Sequence, residues 1–515
     1  MTMLPFDSGA PGSPTPASKG PGYVHDLDTP LLMFSDRDVW TVRDAAEGVF
    51  VTGGIGAGKS SSSGAALAKA YLRAGFGGIV CCANVDEVDR WRRYCADTGR
   101  SQSLIVMDKS LRHRFNFLEY QMAVGLSSTF EAVQVLLDIL NAAEGKHDTG
   151  AGGDNQFWEQ TLRQILRNAI MPVWAAYGRL TLADLMRFMN ERPTLPEQLA
   201  SDEWLDGSFF ARTMERAEAG GAHPMEPEDY QAIENYWLKT MMQPDQKTAG
   251  NILQTVVARL DPFLTGDLRK LFCTDTSLVP ELTFEGAVIV LDLSAHEWGQ
   301  EGVLAQHIVK IMWQKAMQRR PKTPTARPCF LMADECQYFL AQSDQAFQST
   351  ARACRALTVY LTQNLPGIYA KIGGPKAQDV TDALLGNLAT KIFHAQPDPR
   401  TAEWAANMIG KALTWRENVG ENQGSNYGTS TNAGYSSGSH APGSSNSSSG
   451  STAGNSHGTS RGASQVIDYR VQPSHFTTLR KGGGPDAVSE AVIFQAGRVF
   501  GYTGSTWTPT LFTQG

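Results

Sequence analysis

The sequence has few of the features that mark disulfide-stapled, zinc-binding or nucleic-acid-coating proteins. Its seven cysteines are an odd number without a CxxC pair, which argues against a disulfide framework and a zinc site. No pair of its ten histidines has helical metal-ligand spacing together with a third ligand. Its 45 Lys and Arg against 52 Asp and Glu give a net charge of -7, which argues against coating nucleic acid through bulk charge. We therefore expect a protein of the reducing cytosol, in which any DNA contact is local.

Long apolar runs are also missing. The longest apolar stretches, GFGGIVCCANV and NAIMPVWAAYG, are far shorter than the roughly 18 residues that a membrane span needs. Residues 1–25 are rich in proline, glycine and serine and have neither an apolar core nor a basic leader, so they predict a disordered arm rather than a signal peptide. The sequence predicts a chain that is soluble on its own and cytoplasmic, and peripheral at the inner membrane only through partners.

Apolar strands alternate with amphipathic helices over much of the chain. EGVFVTGG predicts the first strand, and further strands are predicted at residues 77–85, 103–108, 286–293, 328–335 and 356–364 and in the segments LATKIFHAQ and EAVIFQAGRVFGYTG. This alternation is typical of an α/β fold with a parallel sheet covered on both faces. We assign residues 26–117 and 251–515 to this α/β domain.

Two stretches interrupt the alternation. Residues 118–250 show helical spacing of apolar residues and no strand pattern, which predicts an inserted all-α domain. Residues 420–464 are a Ser/Gly/Asn tract with Glu421 and Arg461 as its only charged residues, and they lack the apolar side chains of a core. We expect this tract to be a flexible loop within the α/β domain, either solvated or in contact with substrate.

The stretch VTGGIGAGKSSS fits the phosphate-loop pattern GxxxxGK[ST] and lies between a predicted strand and a predicted helix. Main-chain N–H groups of such a loop surround the phosphates, its lysine bridges the β and γ oxygens, and its hydroxyl binds Mg²⁺. Lys59 and Ser60 would have these last two roles. The predicted nucleotide-binding residues are Gly53, Gly54, Ile55, Gly56, Ala57, Gly58, Lys59, Ser60 and Ser61.

An acidic pair ends the apolar strand FLMADE. Asp334 would help Ser60 to hold Mg²⁺, and Glu335 would orient the attacking water. An adjacent glutamate is typical of ATPases that hydrolyse repeatedly, and it argues against a small-molecule kinase, whose acceptor is a substrate hydroxyl. ATP and Mg²⁺ are therefore the predicted cofactors.

Further polar residues follow in the segment STARACRALTVYLTQN. Gln363 ends a strand, where its side chain could sense the γ-phosphate. Arg352 or Arg355, just before that strand, could reach the nucleotide of a neighbouring subunit as an arginine finger.

Taken together, these motifs resemble the TraG/TraD-like type IV coupling proteins of the FtsK/HerA superfamily of P-loop ATPases. The resemblance rests on GGIGAGKS, FWEQTLRQIL, GAVIVLDLSAHEWGQEG, FLMADECQYFL, RACRALTVYLTQN and LLGNLATKIFHAQPDPRTAEWAANMIGK. It implies a RecA-like P-loop domain, with Arg352 as the trans arginine finger and Gln363 as the sensor. It also implies an all-α domain that faces relaxase and other DNA-processing proteins, and a homo-hexamer that passes single- or double-stranded DNA through its pore.

The sequence departs from the family in one respect. Typical coupling proteins begin with a transmembrane pair, and this sequence has none, so a separate membrane subunit or the secretion channel itself would anchor the ring. Two alternatives remain open: a soluble HerA/FtsK-type DNA translocase in repair or phage defence, and an ATP-binding recruitment adaptor for a DNA-processing complex.

Overall fold

The computed structural model describes residues 26–124, 128–144, 153–242, 247–341, 343–435 and 445–514. The predicted disordered arm, residues 1–25, lies outside these ranges. The chain forms two compact units, which are Met1–Glu403 with Pro473–Gly515 and Trp404–Gln472.

Thirteen strands are described. They are β1 Pro30–Ser35, β2 Asp38–Thr41, β3 Val49–Thr52, β4 Gly77–Cys81, β5 Leu104–Met107, β6 Val288–Leu291, β7 Cys329–Ala333, β8 Ala356–Thr362, β9 Thr390–Phe393, β10 Lys411–Tyr435, β11 Ser445–Tyr469, β12 Val488–Gln495 and β13 Trp507–Thr513. Nine of them form one sheet of the first unit, in the order β13-β12-β9-β3-β8-β7-β4-β6-β5. Every neighbouring pair from β9 to β5 is parallel, whereas β12 pairs antiparallel with both β9 and β13.

The first unit also contains the helices α1 to α16. They are α1 Val42–Ala46, α2 Ser63–Arg73, α3 Glu87–Asp97, α4 Phe117–Val124, α5 Ser128–Glu144, α6 Gly153–Tyr177, α7 Leu182–Asn190, α8 Asp202–Gly207, α9 Phe209–Glu218, α10 Pro227–Asn235, α11 Lys247–Leu260, α12 Gly266–Phe272, α13 Ala295–Arg319, α14 Ser343–Ala351, α15 Leu365–Ile372 and α16 Ala377–Gly386. α17 spans Pro399–Ile409, and α18 spans Pro473–Thr478. Among the described residues, none of the helices combines the length and the hydropathy that a membrane span requires.

The central strands are buried along their whole length. Every residue of β3, β4, β6, β7, β8 and β9 is buried, which is the pattern of parallel strands covered on both faces. The predicted α/β fold with a parallel-rich central sheet is confirmed.

Five strands were not predicted from the sequence, and two of them, β10 and β11, belong to the second unit. β1 and β2 form a small separate antiparallel sheet, and β13 forms an edge of the large one. β13 contains Pro509, a residue that a strand tolerates at a sheet edge because no neighbour needs its missing N–H there.

Between β5 and β6 the described residues form helices and no strand, from Phe117 to Phe272. The helices continue past the predicted boundary at residue 250, through α11 and α12. The division of this part into a separate all-α domain over residues 118–250 stays a proposal.

The second unit differs from the expectation for the Ser/Gly/Asn tract. Instead of an irregular loop, β10 and β11 pair antiparallel from Lys411 opposite Tyr469 to Tyr435 opposite Ser445, and residues 436–444 lie outside the described ranges. The reason is that the hydrogen bonds of an antiparallel ladder join backbone groups and need no apolar core. Large side chains of the ladder lie in solvent, as Trp415 and Tyr427 do with 68% and 84% of their surface exposed.

Candidate active site

The predicted phosphate loop connects β3 to α2 at the carboxyl edge of the sheet. Gly54 donates its N–H to the Ala395 carbonyl at 2.8 Å, and a Cβ at Gly54 would lie 2.6 Å from Pro397 Cδ. Gly58 has a φ of 93°, and a Cβ there would lie 2.9 Å from Ser489 Cβ. These two positions need glycine for close approach and for backbone conformation respectively.

The middle of the loop is open to solvent on one side. The side chain of Ile55 is 80% exposed, and a Cβ at Gly56 would meet nothing within 4 Å. Ala57 is buried, and its N–H donates to the Gly54 carbonyl at 3.1 Å. The loop thus has a packed base and an accessible rim, as a site that admits a ligand requires.

Lys59 and Glu335 meet in the site. Lys59 Nζ lies 3.3 Å from Glu335 Oε1, and both side chains are largely buried. Gln363 Nε2 donates to the same oxygen at 3.1 Å, and Gln337 Nε2 donates to Glu335 Oε2 at 2.8 Å. The predicted base, loop lysine and sensor are therefore in one hydrogen-bonded group, although 276 residues separate Lys59 from Glu335.

The environment keeps Glu335 ionised. Burial alone would raise its pKa, but Lys59 and the hydrogen bonds from Gln337 and Gln363 outweigh burial and lower the pKa below its ordinary value. Glu335 also has a left-handed backbone, with a φ of 48°. A carboxylate held in its basic form can accept a proton from water or orient it.

Ser60 and Asp334 form the second contact of the site. Ser60 Oγ donates to Asp334 Oδ2 at 2.5 Å, and Asp334 Oδ1 accepts the N–H of Glu335 at 3.0 Å. A hydroxyl and a carboxylate oxygen this close offer the hard oxygen donors that Mg²⁺ prefers. This donor set fits the predicted ion, with Ser60 and Asp334 as the residues that would hold it.

Two residues of α3, Arg90 and Glu87, lie beside Asp334 and were not predicted from the sequence. Arg90 Nη1 lies 3.7 Å from Asp334 Oδ2. The buried carboxylate of Glu87 accepts the N–H groups of Ala83 and Asn84 at 3.1 and 2.9 Å. In the sequence, both residues lie in the helical segment DEVDRWRRYCADTG, directly after β4. In the sheet, β4 is the neighbour of β7, the strand that Asp334 follows.

Glu87 predicts a pH dependence of stability. Burial, helped by the negative charge of Asp334, raises its pKa from 4.5 to about 8. Because the folded pKa lies above the unfolded one, this group's contribution favours folding at low pH and is lost as pH rises from about 4.5 to about 8. Glu87→Gln removes this loss and keeps an oxygen for both N–H groups. We expect the variant to gain at least about 1 kcal/mol over the unaltered chain between pH 5 and pH 8.5.

Thermal or urea unfolding at a series of pH values, without nucleotide or magnesium, measures this difference. Glu297→Gln, at an exposed carboxylate, is the control and should show a constant difference. A pH-independent difference for Glu87→Gln would contradict the assignment of a raised pKa.

The base of the loop rests on a buried histidine. His394 Nδ1 lies 3.1 Å from the Glu490 carbonyl, and its Nε2 lies 2.7 Å from Ser63 Oγ. Because a carbonyl only accepts, Nδ1 carries the proton and Nε2 accepts from Ser63. Burial lowers the pKa of His394 to about 4. The imidazole is therefore neutral at pH 7 and supports α2 as it leaves the loop.

Arg352 is not part of this group within one chain. Its Nη1 lies 3.1 Å from Glu47 Oε1, and 59% of its side chain is exposed. Glu47 precedes β3, whereas the phosphate loop follows it, so Arg352 lies at the opposite edge of the sheet from the loop. Such a position leaves the guanidinium available to a neighbouring chain.

Arg355 has a different environment. It has a left-handed backbone with a φ of 53°, and its Nη1 donates to the Ala326 carbonyl at 3.1 Å. Its own carbonyl accepts the N–H of Cys329 at the start of β7. These contacts tie Arg355 to its own chain, so of the two predicted finger residues Arg352 is the better placed.

The family model described as the TraM recognition site of TraD and TraG matches residues 328–464. None of the curated proteins matches.

Two solved structures of the plasmid coupling protein TrwB share the fold. The complex with the non-hydrolysable GTP analogue GDPNP is 13% identical, with a TM-score of 0.55, and the match covers 94% of this chain and 91% of that one. The complex with ADP and Mg²⁺ is 13% identical, with a TM-score of 0.54, and covers 93% and 87% of the two chains. At this identity the likeness concerns the fold. The family match agrees, over residues 328–464, with the resemblance to TraG/TraD-like proteins, and the two solved structures share the predicted fold.

Proposed function

We propose that the chain is a magnesium-dependent ATPase that works as a hexameric ring motor and couples DNA, or a relaxase–DNA substrate, to a type IV secretion channel. The observation that carries the proposal is the convergence of Lys59, Ser60, Asp334, Glu335 and Gln363 at one edge of the sheet. This is the set that hydrolysis of a nucleoside triphosphate needs: phosphate-binding, metal-holding, water-orienting and sensing groups.

The Lys59–Glu335 ion pair supports a two-state site. In the structure the ammonium neutralises the carboxylate at 3.3 Å. A bound triphosphate would attract Lys59 to its β and γ oxygens and leave Glu335 to orient water, still held by Gln337 and Gln363. Magnesium, held by Ser60 and Asp334, would neutralise the charge that develops on the phosphates.

The position of Arg352 supports a shared site. An exposed arginine at the edge of the sheet opposite the loop cannot serve the nucleotide of its own chain, but it can serve that of the next subunit in a ring. The net charge of -7 does not oppose a pore for DNA, because a few basic residues per subunit become a ring of charge in the oligomer.

The family match favours coupling in conjugation over the two alternatives, a HerA/FtsK-type translocase and a recruitment adaptor. That match names a recognition site for a partner protein of TraD and TraG. For this chain we propose relaxase and other DNA-processing proteins as the partners that bring the substrate.

Turnover by the purified full chain tests the proposed function. We expect magnesium-dependent ATP hydrolysis that rises several-fold with single-stranded DNA, because DNA in the pore would favour the assembled ring. Lys59→Ala should abolish both the basal and the stimulated rate, since the loop lysine binds the β and γ phosphates. ATP binding without turnover in the presence of magnesium and DNA would instead indicate the adaptor.

A further inference from the structure

A glutamine far along the chain contacts the phosphate loop. Gln514 follows β13, and its Nε2 lies 2.7 Å from the Oγ of Ser61, the residue after the metal-binding hydroxyl of Ser60. Both side chains are partly buried. None of the nucleotide-binding residues predicted from the sequence lies beyond the loop itself, so Gln514 is an addition to that set.

The amide of Gln514 is held at both ends. Its Oε1 accepts the N–H of Gly483 at 2.5 Å, which identifies Nε2 as the donor to Ser61. The main-chain N–H of Gln514 bonds the Ala487 carbonyl at 2.6 Å. A Cβ at Gly482 would lie 2.3 Å from Nε2, so only glycine leaves room for the amide at this place. The segment 482–487 thus fixes the direction in which Gln514 points.

The neighbouring edge strand reaches the same part of the loop. Ser489 Oγ, in β12, donates to Ser62 Oγ at 2.7 Å, and Ser489 Cβ is the atom that a side chain at Gly58 would strike. The antiparallel strands β12 and β13 therefore form a wall beside Ser61 and Ser62, on the side of the loop away from Asp334.

We propose that Gln514 is a positioning residue for the nucleotide, acting through Ser61 on the α- and β-phosphates. In a phosphate loop the residues that follow the lysine turn their N–H groups toward these phosphates. The bond from Gln514 would hold the Ser61 oxygen in place beside them, while the Ser61 hydroxyl donates to the Gly58 carbonyl at 3.5 Å. The hydrogen bond to Ser61 uses one of the two N–H groups of the amide, and the other adds positive potential beside the phosphates. This inference rests on the proposed nucleotide site and names a residue that helps to form it.

A series of charge variants at this position tests the inference. Gln514→Glu and Gln514→Lys have side chains of similar length to glutamine and change the charge beside Ser61, and affinity for fluorescently labelled ADP is measured by titration. We expect Gln514→Glu to weaken binding about tenfold and Gln514→Lys to bind at least as tightly as the unaltered chain, with both differences shrinking at high salt. Gln514→Asn, which is too short to reach Ser61, should weaken binding without a salt effect.

Thr513 supplies the matched control. It is the exposed preceding residue in β13, and its side chain points to the opposite face of the strand. Thr513→Glu and Thr513→Lys should shift ADP affinity less than about twofold. Ser61→Ala combined with Gln514→Asn should cost no more than the larger of the two single changes, because both remove the same contact.

The outcomes separate this inference from the proposed function. Suppose that the unaltered chain binds ADP and that Lys59→Ala weakens binding. If the Gln514 and Thr513 series then give equal shifts in affinity, Gln514 has only a structural role and the inference is overturned. If the unaltered chain binds no ADP, or Lys59→Ala leaves binding unchanged, the proposed nucleotide site fails as well. The inference is supported if affinity for ADP falls from Lys to Gln to Glu at position 514 and does not change in this order at position 513.

Discussion

Replacing Glu335 with glutamine is expected to lower the rate of ATP hydrolysis about a hundredfold or more, because the variant loses the carboxylate that orients and deprotonates water. Glutamine has nearly the same shape and keeps one of the two oxygens, which can accept from Gln337 or from Gln363 but not from both, because these residues donate to different oxygens of Glu335. ATP should bind at least as tightly as before, because Lys59 can turn to the phosphates without breaking its 3.3 Å ion pair with the Glu335 carboxylate. Steady-state turnover and equilibrium binding of ATP, measured on the same preparation, check both parts.

The control for this variant is Glu297→Gln, which removes one negative charge at an exposed ion pair with Lys109. It should leave turnover and binding unchanged, since exposed ion pairs contribute little. A Glu335→Gln chain that hydrolyses ATP within about threefold of the unaltered rate would contradict the role of Glu335 as base.

Replacing Arg352 with alanine is expected to lower hydrolysis about a thousandfold while leaving ATP binding intact, as loss of an arginine finger supplied in trans does. Arg352 contacts Glu47 and not the loop, so binding of nucleotide by its own chain does not depend on it. The side chain is mostly exposed, so the fold should tolerate the change. Turnover under conditions of full assembly, with thermal unfolding as a check of folding, measures the effect.

Glu47→Gln is the matched control for Arg352→Ala. It breaks the same ion pair from the other side and keeps the guanidinium. If the ion pair itself mattered, both variants would lose activity. If the guanidinium acts on a neighbouring subunit, Glu47→Gln should retain turnover within about twofold, because an exposed ion pair contributes little to stability.

The central sheet was predictable because local patterns describe it well. Short apolar runs bounded by glycine and polar residues indicated the parallel strands, and strands buried on both faces produce such runs. β13 was missed because Pro509 argues against a strand in the sequence. Proline has no N–H for a neighbouring strand, and a strand tolerates it only at a sheet edge, which the sequence does not reveal. β10 and β11 were missed because a ladder of backbone hydrogen bonds leaves no mark in the side-chain pattern.

The site was predictable where its residues lie in recognisable motifs. Lys59, Asp334 and Glu335 belong to short patterns whose chemistry can be stated from the sequence. Arg90 and Gln514 could not be found in this way, because what makes each of them part of the site is a contact across 244 and 453 residues of chain. The sheet order brings α3 and the end of β13 to the loop, and no local pattern encodes that order.

Turnover of mixed rings tests whether hydrolysis is shared between subunits. Chains with Lys59→Ala have an intact Arg352 but no functional loop. Chains with Arg352→Ala have a functional loop but no Arg352. Rings made of only one of these chains should be inactive. In an equal mixture that assembles at random, about a quarter of all sites would combine an intact loop with a neighbour's intact Arg352, so turnover should recover to about a quarter of the unaltered rate. A mixture that stays as inactive as its two components would show that Arg352 does not act on the nucleotide of a neighbouring subunit.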